Sequence, residues 1–363
     1  MQVSELDTPA LLVDLDIMER NLRRVAGYAA EHNLRLRPHT KTHKYPEIAR
    51  RQLSLGAAGL TVAKVGEAEV MLDSGTSDLL VAYPVIGSSK LERLMKVARH
   101  TKVTVALDSA AAAQQLSVAA KAAGVEAGVL VEVDAGLGRV GVTPDEALDL
   151  ARAVLKMPGL RFRGIAFYPG HIKDPEGSDA AELPKLSALT ERMLADFEAA
   201  GLKAEIVSGG STPALFHSHR IAGLNEIRPG TYVFNDLNTV RSGGCTLDDC
   251  AAAILVAVIS KPREGSLFID GGSKTFSSDR SSAAGRETFG RIVEAPGCEF
   301  YRMNEEHGFV DTHADGRQFS IGDKLRIIPN HVCVAVNLHE TVYGIRGEKV
   351  EKTWKVAGRG KLQ

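Results

Sequence analysis

Cysteine is scarce. Cys245, Cys250, Cys298 and Cys333 are the only four in 363 residues, too few and too irregularly spaced for a disulfide framework, and they point to a reducing compartment. Aromatic residues make up 5% of the chain, and no apolar run approaches the length of a membrane span. The first residues, MQVSELDTPALLVDLD, are acidic early and lack a basic region followed by an apolar core, so they do not read as a signal peptide and a cytoplasmic protein is expected. Neither sign of charge dominates. The formal net charge of −1 excludes bulk attraction to nucleic acid or an anionic membrane and leaves any anion-binding role local. Low-complexity segments and heptads are absent.

What is there is a rhythm. The length suits one large domain plus a smaller one. TPALLVDLD reads as a strand, and Asp16 is a good N-cap for a helix in which Ile17, Asn21, Leu22, Val25 and Ala29 recur at helical spacing. Strand-like runs then fall at 34–39, 59–63, 78–83, 103–107, 128–133, 162–168, 205–208 and 226–233. Helical segments lie between the earlier ones, at 45–55, 65–73, 90–100, 109–123 and 144–156, with a longer one at 180–200. Eight strands alternating with helices predict a parallel sheet with crossover helices. Closed, this is a (β/α)₈ barrel; the alternative is an open doubly wound sheet. The even strand count, with no nucleotide fingerprint after the first strand, favours the barrel. Beyond about Val240 the chain turns β-rich, which predicts a second, mainly antiparallel β domain.

The stretch LRLRPHTKTHK, from Leu34 to Lys44, alternates sharply. Leu34, Leu36 and Pro38 share one parity, and Arg35, Arg37, His39 and Lys41 the other, so a strand here sends apolar and cationic side chains to opposite faces. In a barrel the apolar face packs on helices and the cations face inward, where active sites are built at the strands' C-terminal ends; a solvated basic edge is the other reading. A lysine held among cations is a nucleophile that forms imines with carbonyls. Lys44 reads as a solvated lysine at a helix start.

Three further stretches carry chemistry. VEVDAGLGRVGV ends a strand in a glycine-rich turn with Arg139, an anion or phenolate partner unless it is a plain surface arginine. IVSGGSTPAL runs from a strand into Ser208, Gly209, Gly210, Ser211 and Thr212, which reads as a phosphate cradle in a late-strand position unless it is an ordinary Ser/Gly loop, and IRPGTYVFND follows with Gly230 and Tyr232. In PNHVCVAVNLHE, His331 and Cys333 are two apart, so a strand would present imidazole and thiolate on one side to a single metal; a core histidine beside a buried cysteine is the plainer reading. NEEHG offers more acids and His307. Cys245 and Cys250 have no histidines at zinc-site spacing and read as structural.

Taken together, these motifs resemble the D-threonine aldolase and D-serine dehydratase family, the metal-assisted branch of the alanine racemase-like (fold-type III) pyridoxal phosphate enzymes. The similarity runs nearly the whole length, from DTPALLVDLD through RPHTKTHK, VEVDAGLGRVG, SGGST, IRPGTYVFND and NEEHG to NHVC and GRG. It implies a PLP-binding barrel over 15–240 and a β domain of 1–14 plus 241–363, with subunits paired head to tail as a homodimer. It implies that Lys41 bonds the cofactor's aldehyde and that Arg139 meets its phenolic oxygen. His39, Tyr168, Ser208, Gly209, Gly210, Ser211, Thr212, Gly230 and Tyr232 are the other cofactor contacts expected. His331 and Cys333 are the expected ligands of a divalent metal, zinc, manganese, cobalt or magnesium, a thiolate suiting zinc or cobalt better than hard cations.

Two departures bear on the reaction. Aldolases of the family often carry His-x-Asp at the metal pair and dehydratases His-x-Cys, and this chain has Cys333. Familiar aldolases also place a histidine directly after the tyrosine that ends the sixth strand. Here Pro169 stands there, with His171 two places on; either His171 is the base, or a metal-bound water is, or the reaction is not retro-aldol. The family implies retro-aldol cleavage of a D-β-hydroxy amino acid to glycine and an aldehyde. The alternative is dehydration of D-serine or D-3-hydroxyaspartate to a keto acid and ammonia. A metal-independent racemase and a cofactor carrier without turnover are the minor readings, and the long β region weighs against the carrier.

Overall fold

The computed structural model describes residues 1–283 and 286–363. They form two compact units, one of Arg23–Lys41, Tyr45–Gly230 and Gly360–Gln363, the other of Met1–Leu22, Thr42–Lys44 and Thr231–Arg359. The chain begins with β1 (Ala10–Asp14) and α1 (Leu15–Glu31).

The first unit is an eight-stranded parallel sheet: β2 (Arg35–Leu36), β3 (Leu60–Val62), β4 (Asp78–Val81), β5 (Lys102–Leu107), β6 (Ala127–Val133), β7 (Leu160–Phe167), β8 (Ile206–Gly209) and β9 (Glu226–Ile227). Helices α2 (Pro46–Ser54), α3 (Val65–Met71), α4 (Ser88–Ala98), α5 (Ala110–Ala123), α6 (Ala147–Leu155) and α7 (Glu182–Ala199) provide the crossovers. Hydrogen-bonded neighbours run from β3 in order to β9 and then β2. A bridge between His39 and Thr61 joins the last to the first, with Thr61 N–H donating to Pro38 O at 2.9 Å and Thr40 N–H to Thr61 O at 2.8 Å. The expected (β/α)₈ barrel is therefore present and closed. Its closing strand pairs with β9 over only two residues, although Arg37 N–H and His39 N–H still donate to Ile227 O and Pro229 O; Pro229 has no N–H to return the bond.

Alternation along these strands fills the barrel. Leu80, Ala106, Leu130, Ala166 and Ile206 form one buried apolar cluster. The strands also carry a polar plug. Arg37 Nε donates to Glu226 at 2.9 Å, Arg37 Nη1 and Nη2 donate to Asp78 at 2.9 and 3.2 Å, and Ser208 Oγ donates to Glu226 at 2.7 Å. Gly59 leaves the space: a Cβ there would collide with Arg37 Nη1 and the Asp78 carbonyl.

The second unit contains α8 (Leu237–Arg241), β10 (Ala252–Arg263), β11 (Ser266–Ile269), α9 (Ser273–Phe276), β12 (Ser281–Ala283), β13 (Arg286–Thr288), β14 (Gly290–Ile292), β15 (Glu299–Met303), β16 (Gly308–Asp311), β17 (Lys324–Pro329), α10 (Val332–Leu338), β18 (Thr341–Arg346) and β19 (Lys349–Lys355). Its main sheet runs β15-β16-β11-β10-β1-β18-β19, with β17 joining β10 to β14. Pairing is antiparallel apart from β1 with β18. The expected antiparallel domain is thus present. It starts before the composition changes, because Asp236 caps α8 and Ala251 N–H donates to Phe234 O, tying residues 231–251 to it. All four cysteines are free thiols, and no helix among the described residues is long and apolar enough to cross a membrane.

Candidate active site

In the barrel unit, the expected residues gather where strands end. His39 is buried, and its Nδ1 accepts the Lys41 N–H at 3.4 Å. The Lys41 side chain is exposed and makes no hydrogen bond or ion pair among the described residues. Arg37 does not surround it with unopposed charge, contrary to the reading of a cationic strand face. Burial works against the Arg37 cation, but Glu226 and Asp78 outweigh it and raise its pKa. Lys44 is not solvated either. It belongs to the second unit, is buried, adopts φ 61°, and its Nζ donates to Asn337 Oδ1 at 2.8 Å.

The loop after β6 is shaped by Asp134, whose Oδ1 accepts the N–H groups of Gly136 and Gly138 at 3.1 and 3.0 Å. Both glycines have positive φ, 114° and 71°, and the turn delivers Arg139 over the Tyr168 ring, 4.9 Å from its centroid. His171 lies against the same loop: a Cβ on Gly136 would come within 3.2 Å of its ring. Its Nδ1 is buried with no hydrogen-bond partner.

After β8 the chain turns through Gly210, at φ 91°. Gly209 must be glycine, since a Cβ would meet the Phe167 ring at 2.5 Å. The successive backbone N–H groups of Gly210, Ser211 and Thr212 are in buried residues and make no hydrogen bond among the described residues. Buried amides in a row without acceptors form an anion-binding nest. The Ser208 hydroxyl is engaged by Glu226, and Ser211 Oγ accepts the Ala214 N–H. Gly230 ends this unit, and Tyr232 belongs to the second unit, where it is buried.

Two buried residues were not singled out from sequence. Arg228 Nη2 donates to Phe167 O at 3.1 Å, while among the described residues its Nη1 has no hydrogen-bond partner and Glu132 Oε2 has none. Burial lowers the Arg228 pKa and raises that of Glu132, each opposed by the other's charge. The signal was available: Glu226 and Arg228 share a parity in EIRPG, so both face inward. A row of buried amides and an exposed lysine, each without a partner among the described residues, fit a phosphorylated aldehyde cofactor.

In the second unit, His331 and Cys333 do not lie on a strand. His331 caps α10 and Cys333 is in its first turn. They interact nonetheless: His331 has an extended backbone (φ −132°, ψ 110°), and its ring and the Cys333 thiol influence one another. His331 Nδ1 lies 3.2 Å from Asp236 Oδ2. The Asp236 and Cys333 contacts push the His331 pKa up to about 11. Cys333 Sγ is 3.2 Å from Thr42 Oγ1 and 3.8 Å from Thr231 Oγ1. His307 is exposed in the β15–β16 hairpin and Glu306 pairs with Lys274, so neither joins them. No group of three His, Cys, Asp or Glu placed to hold a metal occurs among the described residues. One nitrogen and one sulfur donor fit a cation that keeps open positions.

Residues 13–237, well over half of the chain, match the family model described as "Alanine racemase, N-terminal domain". The chain belongs to that family. Residues 251–345 of this alanine racemase-like protein match a second model, "Putative serine dehydratase domain". The chain is 35% identical to 3-hydroxy-D-aspartate aldolase of Paracoccus denitrificans over 99% of its own length and 94% of the relative's. Its structure resembles D-threonine aldolase from Filomicrobium marinum with a TM-score of 0.93 and 35% identity, covering 99% of this chain and 98% of that one. It resembles D-threo-3-hydroxyaspartate dehydratase from Delftia sp. HT23 with a TM-score of 0.88 and 30% identity, covering 98% of each chain; a cysteine variant of that dehydratase is described in a metal-free form. The chain is a pyridoxal phosphate-dependent lyase.

Proposed function

We propose that this alanine racemase-like lyase cleaves D-β-hydroxy-α-amino acids to glycine and an aldehyde, with a divalent metal assisting. The observation that carries the reading is the pairing, in one barrel, of a Lys41 side chain without a partner among the described residues and a row of amides at Gly210–Thr212 without acceptors among them, each following a strand. Lys41 would hold the cofactor's aldehyde carbon, the nest and Gly209 its phosphate, and Arg139 its phenolic oxygen. Arg228 and Glu132, buried and with spare polar atoms, would be available to the rest of the cofactor. Bound pyridoxal phosphate supplies an electron sink for breaking a bond next to the substrate amine. His331 and Cys333 would hold the cation, which lowers the pKa of a hydroxyl bound to it. Thr42, hydrogen-bonded to Cys333, is the residue after Lys41 in the chain.

In this reading His171 takes the proton from the substrate's β-hydroxyl. Its buried Nδ1 carries no competing bond. His171→Ala is therefore expected to lower kcat by about 10²–10⁴-fold, the usual contribution of a positioned base. Cofactor content, read by absorbance, should not change. An unchanged kcat would remove His171 from the reaction.

The second reading is dehydration of D-serine or D-3-hydroxyaspartate, with Lys41 removing the α-proton. Cys333 and Pro169 favour it. Protein loaded with pyridoxal phosphate and incubated separately with D-threonine, D-serine and D-3-hydroxyaspartate, with and without EDTA, decides between the two. Glycine and aldehyde, lost with the chelator, are expected. Keto acid and ammonia would establish the dehydratase, and turnover insensitive to EDTA would remove the metal.

A further inference from the structure

We infer that Asp236 is a positioning residue that fixes the His331 ring for metal ligation, an inference that rests on reading His331 and Cys333 as the ligands. Asp236 is 1% exposed, and its two oxygens face four donors. Oδ1 accepts Thr239 N–H at 2.9 Å and Thr239 Oγ1–H at 2.8 Å, which caps α8. Oδ2 accepts Val332 N–H, the first residue of α10, at 3.0 Å, and faces His331 Nδ1 at 3.2 Å. One carboxylate thus ties the starts of two short helices together and grips the imidazole between them.

This arrangement has two consequences. With every lone-pair direction engaged, Asp236 is not itself a third ligand. An acceptor facing Nδ1 keeps the proton on that nitrogen and so favours the tautomer whose lone pair sits on Nε2, the defined free nitrogen that a cation requires. Ring orientation, tautomer and the backbone of the ligand pair then depend on the same buried group. In the sequence Asp236 shows only as the cap of LNTVR, 95 residues before the histidine it would hold.

Asp236→Asn keeps the size and one acceptor oxygen but offers His331 an amide N–H, which favours the proton on Nε2. Zinc affinity of the pyridoxal phosphate-loaded protein, measured by competition with a chromophoric chelator, is expected to fall about 10–100-fold, the effect of losing such an outer partner of a histidine ligand. Thr239→Ala removes the Oγ1–H bond to Oδ1, leaves the capping N–H bond and the ring untouched, and should leave zinc affinity unchanged. Asp236→Glu, which keeps the charge but displaces the carboxylate, is the second variant should the amide destabilise the protein, and the same loss is expected. Zinc bound as tightly by both Asp236 variants as by wild type would overturn the inference, and so would an equal loss in Thr239→Ala, which would make Asp236 merely structural. Zinc affinity unaffected by His331→Ala would instead bring down the ligand pair itself, and this inference with it.

Discussion

Replacing Lys41 by alanine is expected to abolish the visible absorbance of a lysine-bound cofactor and to lower turnover by on the order of 10⁴-fold or more, the scale on which removal of a nucleophile acts. The expectation is specific because the neighbouring lysines are engaged. Lys44 Nζ donates to Asn337, and Lys64 Nζ stands over the Tyr83 ring, 3.7 Å from its centroid. Lys41 has no such partner among the described residues, and its N–H bond to His39 holds only its backbone. The phosphate nest does not depend on Lys41, so the variant should still take up pyridoxal phosphate, reversibly and more weakly. Added methylamine should restore part of the turnover, since a small amine can stand in for the missing one. Lys64→Ala and Lys44→Ala should keep the absorbance. If Lys41→Ala keeps it too, another lysine holds the cofactor and the barrel-mouth assignment falls.

The architecture was legible because the signals that specify it are local. Buried parallel strands read as apolar runs such as Leu79–Val81 and Val129–Val131, and the helices between them show their period. The glycine turns around Arg139 and at Gly209–Gly210 were legible for the same reason: a positive φ or a missing Cβ is written into one residue type. What was not legible depends on register. The cations of LRLRPHTK looked unopposed because their partners, Asp78 and Glu226, lie 41 and 189 residues away, on strands whose level in the barrel no local pattern states. Lys44 looked like a surface residue because Asn337 is 293 residues distant.

The NHVC element shows a different limit. Spacing of two argued for one face of a strand, and the structure instead begins a helix there. The contact between His331 and Cys333 survives that error, because the first comes from the extended cap and the second from the helical turn. A period argument applied across an element boundary reached the right pair by the wrong geometry. The supporting residues Asp236, Thr42 and Thr231 were missed, because each is an ordinary cap or hydroxyl until the fold brings it to the pair.

The largest expected loss of stability is at Arg37, which carries no assigned role in the chemistry. Its guanidinium is 1% exposed and binds two carboxylates at once, Glu226, itself fully buried, and Asp78. Arg37→Met leaves those charges facing each other without their shared cation; Arg35 and Arg163, at 3.7 and 3.6 Å, reach only one each. Breaking such a pair costs about 3–5 kcal/mol. At roughly 2–4 °C per kcal/mol for a unit of this size, the melting temperature should fall by roughly 6–20 °C. The cause is the stranded charge rather than the lost volume. Adding Asp78→Asn and Glu226→Gln to Arg37→Met should therefore recover much of the loss, because the polar plug then holds no uncompensated ion. Thermal melts of the single and triple variants separate the two explanations. If the triple variant melts no higher than Arg37→Met, the plug stabilises the barrel by shape, with Gly59 providing the space, and the ion pairs are incidental to it.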